Sequence, residues 1–245
     1  MATTTRTASS RRRKLFLFTK PAVPGRVKTR LVGDLTAEQT ARLHAAFLND
    51  VSRELEQGEL ELEIAWALDE DRPVPPGIES RPYPGLRQVG ADLGERLFNV
   101  LRDGAVDGAS VAALGSDHPE ISHRAVENAF EMLEAGADVV LGPTPDGGYF
   151  LIALAPQAVH RRLFEDVAWS TDAVRTTTLE RCRELELRVE LLPMGHDVDF
   201  PEDLAALVER LRQAPSSVCV DTRRCLRELG METLGMETPA DEVRR

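Results

Sequence analysis

Two cations spaced two apart, Lys28 and Arg30, end a loop punctuated by proline and glycine, Lys20-Pro21-Ala22-Val23-Pro24-Gly25-Arg26-Val27-Lys28-Thr29-Arg30. Pro21, Pro24 and Gly25 let the backbone turn tightly, and the two cations supply the charge that a nucleotide's phosphates need. Three acidic clusters follow. Asp117 lies in Gly115-Ser116-Asp117-His118-Pro119, Asp146 in Gly142-Pro143-Thr144-Pro145-Asp146-Gly147-Gly148, and Asp199 in His196-Asp197-Val198-Asp199-Phe200-Pro201. A carboxylate oxygen is what Mg²⁺ or Mn²⁺ prefers, and adjacent glycines allow a ligand to approach the backbone closely. Each cluster also has a plain structural reading. The first loop could be a basic surface connection, Asp117 or His118 could cap a helix opened by Pro119, and Asp146-Gly147 is a strong β-turn signal. Asp199 stands where a helix N-cap would sit, which would itself fix the direction of the carboxylate.

These residues need strand ends and helix starts to hold them. The apolar run 15–18 reads as a buried first strand, and Thr36-Ala37-Glu38-Gln39 starts an amphipathic helix running to about Gln57. Residues 60–68 alternate as a strand, 93–101 have helical spacing, and 111–114 form a short buried strand with a helix from Pro119 to about Glu134. Strands at 139–141 and 148–154 follow, then a helix over 172–185, a strand at 189–192 and a helix from Pro201 to about Gln213. The expected fold is α/β, a mixed but mostly parallel sheet with helices on both faces. Only residues 142–147 separate two of the strands, too few for a crossover helix, so that pair is expected to be antiparallel or splayed. Ligands in such sheets sit beyond the carboxyl ends of the parallel strands.

Two patches have weaker signals. Gln88 and Gly94 lie in a glycine-spaced helix entrance that could meet a base or ribose, or could be a plain capped start. Trp169-Ser170-Thr171 could line a substrate pocket together with Gly147 and Gly148, or could be an aromatic beside an ordinary helix cap.

Forty-one acids against thirty bases give a net charge of −11, which argues against a nucleic-acid partner. No apolar run is long enough to span a membrane. Cys182, Cys219 and Cys225 form no CxxC pair and no zinc spacing, as expected of reduced thiols in a cytoplasmic protein. There is no Walker A loop, no G-x-G-x-x-G after the first strand, no HExxH and no G-x-S-x-G. Residues 1–13 are expected to be a disordered basic tail, 14–213 the domain, and 214–245 a loosely packed tail with one short helix and a duplicated Leu-Gly-Met-Glu-Thr.

Taken in order, KPxPGxVKTRL, QxxxDLGERL, GSDxP, GPxxDGGYFLIAL, WST and DVDxPEDL resemble the bacterial GT-A-like glycosyltransferase family of the arsenosugar-biosynthesis type. The likeness runs from about Lys14 to Leu211, and the family is similar to 2-phospholactate and molybdenum-cofactor guanylyltransferases. It implies a nucleotide-diphospho-sugar transferase-like fold in which Lys28 and Arg30, with Lys20, Pro21 and Gly25, approach nucleotide phosphates. Asp117 and Asp199 would hold Mg²⁺ or Mn²⁺, and Asp146 with Gly147 and Gly148 would line the acceptor side, Asp146 serving as general base. Phe200 and His118 depart from the family pattern, standing where a small Thr and a Cys are common.

The implied activity is metal-dependent transfer from a nucleotide-sugar to a small-molecule acceptor. The alternatives are nucleotidyl transfer from an NTP with release of pyrophosphate, which the cationic loop favours, and nucleotide binding without turnover.

Overall fold

The computed structural model describes residues 12–75, 77–78 and 81–231. Most of the expected basic tail, at 1–11, and most of the duplicated pentapeptide lie outside the described residues. Arg12 and Arg13, assigned to that tail from sequence, are already fastened to the domain, Arg12 pairing with Glu61 at 2.7 Å and Arg13 with Glu134 at 2.8 Å.

The first strand, β1 (Arg13–Thr19), continues into the proline-rich loop and a single 3₁₀ turn at Thr29–Leu31. Helix α1 (Ala37–Leu55) begins at Thr36, whose hydroxyl accepts from the Gln39 amide while the Gln39 side chain accepts from the Thr36 amide. Strand β2 (Glu61–Trp66) follows, and the described residues from there to Pro84 include a two-residue pair, β3 (Gly77–Ile78) and β4 (Arg81–Pro82). Strand β5 (Gly85–Arg87) was not expected from sequence, because three residues at a sheet edge leave no periodicity to read. Helix α2 (Leu93–Gly104) leads to β6 (Ser110–Gly115), α3 (His123–Glu134), β7 (Val139–Pro143) and β8 (Tyr149–Leu154). The chain closes with α4 (Val174–Glu184), β9 (Val189–Leu191), α5 (Pro201–Gln213) and α6 (Val220–Glu228).

Seven strands form one sheet in the order β5-β2-β1-β6-β8-β7-β9, all pairs parallel except the two made by β8. The β7–β8 pair is therefore an antiparallel hairpin, as its short connection requires. The central strands read as nearly unbroken apolar runs because both faces are covered. From β1 the chain crosses through α1 to β2 on one side, and α2 later returns it to β6 on the other. The crevice between the carboxyl ends of β1 and β6 is thus the point where the winding reverses, the usual seat of a ligand in open α/β sheets.

One expected helix start and one expected cap are corrected. Helix α3 opens at His123, not Pro119, because the Ser122 hydroxyl accepts from the Ala125 amide at 3.2 Å. Neither Asp117 nor His118 is therefore a cap. Helix α5 does begin at Pro201, but its first-turn Asp203 reaches back to accept from the amides of Phe200 at 2.8 Å and Asp199 at 3.1 Å. The Asp199 carboxylate is left unspent by capping.

The described part of the segment expected to be a loose tail, up to Met231, is instead docked. Cys219, Cys225, Leu226 and Met231 join Leu43, Phe47, Leu207 and Leu211 in a second apolar core between α1, α5 and α6. Its polar fastening is the buried Asp50 of α1, which accepts from the amides of Asp221 at 3.0 Å and Thr222 at 2.7 Å in the first turn of α6. The sequence hides this because the capping carboxylate lies some 170 residues away from the helix it serves. Replacing Asp50 with Ala orphans two buried amide groups and is expected to cost about 2–3 kcal/mol. Urea denaturation checks this; an unchanged midpoint would mean that another group holds α6.

Candidate active site

A cavity of about 570 Å³ opens at the carboxyl ends of β1 and β6. Its walls come from the loop after β1, the turn after β6, the β7–β8 hairpin, the Trp169 segment and the Asp197–Asp199 run. Alignment of Phe18 with Gly115 across the β1–β6 pair places Thr19 and Lys20 beside Ser116 and Asp117.

Lys28 is the hub. Its backbone takes the left-handed conformation (φ 48°), which a non-glycine residue seldom adopts, and its side chain is only 2% exposed. The ammonium lies 2.6 Å from Asp117 Oδ1 and 3.4 Å from Asp199 Oδ1, donates to the Val198 carbonyl at 2.5 Å, and sits 5.4 Å from the centre of the Phe47 ring. Arg30 approaches Asp199 Oδ2 at 3.2 Å and stacks over Phe200 at 4.8 Å. Phe200, a departure from the family pattern, thereby becomes a ledge for the Arg30 guanidinium. Both cations assigned to phosphates and both acids assigned to metal thus meet in one ionic cluster.

The acids of the cluster are driven apart in pKa. Burial pushes the Asp117 carboxyl up, but the charge and hydrogen bond of Lys28, with a smaller contribution from Lys20, more than offset it and leave the group below its ordinary value. Asp199 is raised, by burial first, with Lys28 opposing and the like charge of Asp117 adding. Asp197 is pushed up to about 7 by burial and by the nearby charges of Asp117 and Asp199. His118 is a structural neighbour: its ring stacks on Phe150 at 4.9 Å, its Nδ1 accepts from the His196 amide at 3.0 Å, and burial holds it down to about 4.

The hairpin confirms the turn reading of Asp146 and still leaves that residue facing the cavity. Gly147 (φ +87°) makes the turn, and a Cβ there would strike the Asp172 carbonyl oxygen at 2.2 Å. Asp146 Oδ1 accepts from the Thr144 hydroxyl at 2.5 Å and the Gly148 amide at 3.1 Å.

Lys20, Gln88, Gly148, Trp169, Ser170 and Thr171 also line the cavity, whereas Pro21, Gly25, Gly94 and Gly147 do not. Gly94 is explained by packing, since a Cβ would come within 2.5 Å of the Phe164 carbonyl oxygen and 2.7 Å of Trp169 Nε1. Gln88 spends its Nε2 on the Ala65 carbonyl at 2.8 Å. Among the described residues no group of three His, Cys, Asp or Glu side chains could hold a metal ion by itself.

The model of a family described as an uncharacterized protein conserved in bacteria (DUF2064) matches residues 41–171. The chain belongs to this family. The match contains Asp117 and Asp146 but not the β1 loop or Asp199. A Desulfovibrio desulfuricans G20 protein, provisionally described as a nucleotide-diphospho-sugar transferase, superposes with a TM-score of 0.81 at 30% identity, over 89% of this chain and 95% of its own. Two more distant structures share the fold. They are a CMP:2-keto-3-deoxy-manno-octonic acid synthetase complexed with CTP (TM-score 0.51, 12% identity, 82% of this chain and 99% of its own) and a Leptospira borgpetersenii cytidylyltransferase (0.56, 10%, 93% and 98%). Comparison with curated proteins gives no match.

Sequence reasoning about this DUF2064 chain passed over His44, Asp197, Thr144, Arg26 and Arg96, all of which line the cavity. His44 lies on the buried face of α1, and nothing in its spacing marks it. Asp197 was readable as the other half of an Asp-x-Asp pair.

The Asp197 shift gives a pH signature. An unfolded Asp titrates near about 4, so a folded value near 7 means stability is lost as pH rises between those values. In metal-free buffer, Asp197→Asn is expected to raise the melting temperature by a few degrees at pH 8 and to change it little near pH 4. Equal shifts at the two pH values would contradict the assignment.

Proposed function

We propose that this chain is a transferase that takes its donor from a nucleotide, with the phosphates over the β1 loop and Asp117 and Asp199 as the residues that would hold a divalent cation. The observation that carries the reading is the ionic cluster centred on Lys28. A site whose cations and acids neutralise one another can admit a phosphate together with a metal ion by exchange of partners. Every charge then keeps a counter-charge in a place where an unpaired one would be costly.

The donor set suits a hard cation. Asp117 Oδ1 is buried and is held by the Lys28 ammonium at 2.6 Å. One or two carboxylates completed by substrate phosphates and water is the usual protein contribution to Mg²⁺. When bound, such an ion neutralises charge on phosphate oxygens. The chain's own residues do the rest. Lys28 and Arg30 bind phosphates, with Lys20, Arg26 and Arg96 on the same walls. Asp146, its Oδ1 fixed by Thr144 and Gly148, offers Oδ2 to an acceptor hydroxyl and receives its proton, and Trp169 to Thr171 bound the acceptor end.

The first reading is glycosyl transfer from a nucleotide-diphospho-sugar, supported by the Desulfovibrio relative. The acceptor oxygen bonds to the anomeric carbon, the carbon–oxygen bond to phosphate breaks, and the nucleoside diphosphate leaves. A second reading is nucleotidyl transfer, favoured by the concentration of five cations around the cavity, more than a diphosphate demands. There an acceptor phosphate oxygen attacks the α-phosphorus of an NTP and pyrophosphate leaves.

A thermal-shift panel of UDP-, GDP- and dTDP-sugars and the four NTPs, with and without Mg²⁺, separates the readings. A ligand at about a hundred times its Kd contributes roughly 2.7 kcal/mol, a shift of several degrees. Magnesium-dependent stabilisation by a nucleotide-sugar supports the first reading and by an NTP the second. Asp117→Asn is expected to abolish the magnesium dependence and to lower turnover by about 10²-fold or more. A ligand bound equally well without metal and by the variant would favour a binding module instead.

A further inference from the structure

His44, on the second turn of α1, forms part of the cavity wall, yet its side chain is only 5% exposed. Its two ring nitrogens have different surroundings. Nε2 lies 3.0 Å from the Lys20 carbonyl oxygen and 3.3 Å from the Thr19 hydroxyl, which in turn lies 2.9 Å from the Ser116 hydroxyl. A carbonyl oxygen can only accept, so Nε2 carries the hydrogen. In the neutral imidazole Nδ1 is then a bare acceptor. Nδ1 is buried without a hydrogen-bond partner among the described residues, and 3.8 Å from it stands Asp117 Oδ1, buried and met by the Lys28 ammonium at 2.6 Å.

Two buried acceptors at that separation cannot satisfy each other. Nor does Lys28 complete the pair, because its ammonium is already divided among Asp117, Asp199 and the Val198 carbonyl. Buried polar atoms in folded proteins are overwhelmingly paired, and an unpartnered Nδ1 facing a carboxylate oxygen with a lone pair to spare, beside a ligand cavity, calls for a donor brought by the ligand.

We propose that His44 is a positioning residue of the site, its Nδ1 and Asp117 Oδ1 together accepting from one water molecule that enters with a metal–phosphate ligand. The inference rests on the metal–nucleotide reading above. The tautomer is set by the strand end that His44 grips, so β1, the phosphate loop and the metal-side acid are aligned by one imidazole. The water donates one hydrogen to each acceptor, no covalent bond changes, and the ring stays neutral. The ligand class is a hydrated divalent cation carrying a phosphoanhydride, for which Mg²⁺ with pyrophosphate is a base-independent probe.

The test uses the full chain. In wild-type protein labelled with ¹⁵N-histidine, NMR is expected to show His44 as the Nε2–H tautomer, with its Nδ1 resonance moving toward the hydrogen-bonded position on adding Mg²⁺ and pyrophosphate. Two variants separate structure from function. Asn places a polar group near the Nδ1 position, whereas Gln reaches the Lys20 carbonyl as Nε2 does and leaves the Nδ1 position empty. By water-proton relaxation, His44→Asn is expected to bind Mn²⁺–pyrophosphate within about threefold of wild type, and His44→Gln about tenfold more weakly while melting at the wild-type temperature.

Full affinity in His44→Gln, or an Nδ1 resonance that stays put while the ligand binds, would overturn the proposal and leave the site reading intact. Failure of wild-type protein to bind Mn²⁺–pyrophosphate at all would overturn both.

Discussion

The ion cluster around the Lys28 ammonium is the interaction on which the rest of the site depends. It joins three segments far apart in sequence, the loop after β1, the turn after β6 and the run before α5, at a single charge. A lysine only 2% exposed is tolerable because two carboxylates and a carbonyl converge on it. The carboxylates, in turn, can crowd together only because the ammonium stands between them. Asp197, with no ammonium paired to it among the described residues, shows what burial and then the charges of Asp117 and Asp199 do otherwise, its carboxyl driven up to about 7.

The fold supplies this meeting point cheaply. Reversal of winding at β1 leaves a crevice that no crossover helix covers, and the β1–β6 register sets the two loop starts side by side. Everything beyond the strands is then local fixing. The left-handed backbone at Lys28 turns its side chain inward, Asp203 takes over the capping of α5, and the Thr144–Asp146 bond stiffens the hairpin. Helix α6 contributes at a distance, since the core it shares with α1 includes Phe47, the ring beneath the ammonium.

Much of this was legible in the residues. Apolar runs and their spacing gave the strand and helix alternation, and the short gap read at 142–147 gave a pair that had to be antiparallel or splayed. Asp117, Asp146 and Asp199 could be singled out because they follow apolar runs or precede a helix, and all three line the cavity. Other features were not readable, for physical reasons. Lys28 and Arg30 were expected to wait for phosphates, but without a ligand they neutralise the acids, a pairing across about 170 residues that no local pattern records. Asp50 caps a helix equally remote, and β5 is too short to carry a period. His44 sits at a core-facing helical position, so its chemistry emerges only from the carbonyl that fixes its tautomer. Gly94 and Gly147 were read as ligand-facing and prove to be demanded by packing and by a turn.

If Lys28 is a resident counter-ion that exchanges carboxylate for phosphate, metal and phosphate must bind cooperatively through it. Calorimetry of Mn²⁺ binding, in wild type and Lys28→Met, with and without pyrophosphate, measures that coupling directly. The account predicts weak Mn²⁺ binding to the free wild-type protein, strengthened by pyrophosphate at the protein site beyond what the two do in solution. It also predicts tighter binding of Mn²⁺ alone by Lys28→Met, with that excess coupling lost. Equal Mn²⁺ affinity in the two proteins, indifferent to pyrophosphate, would contradict it.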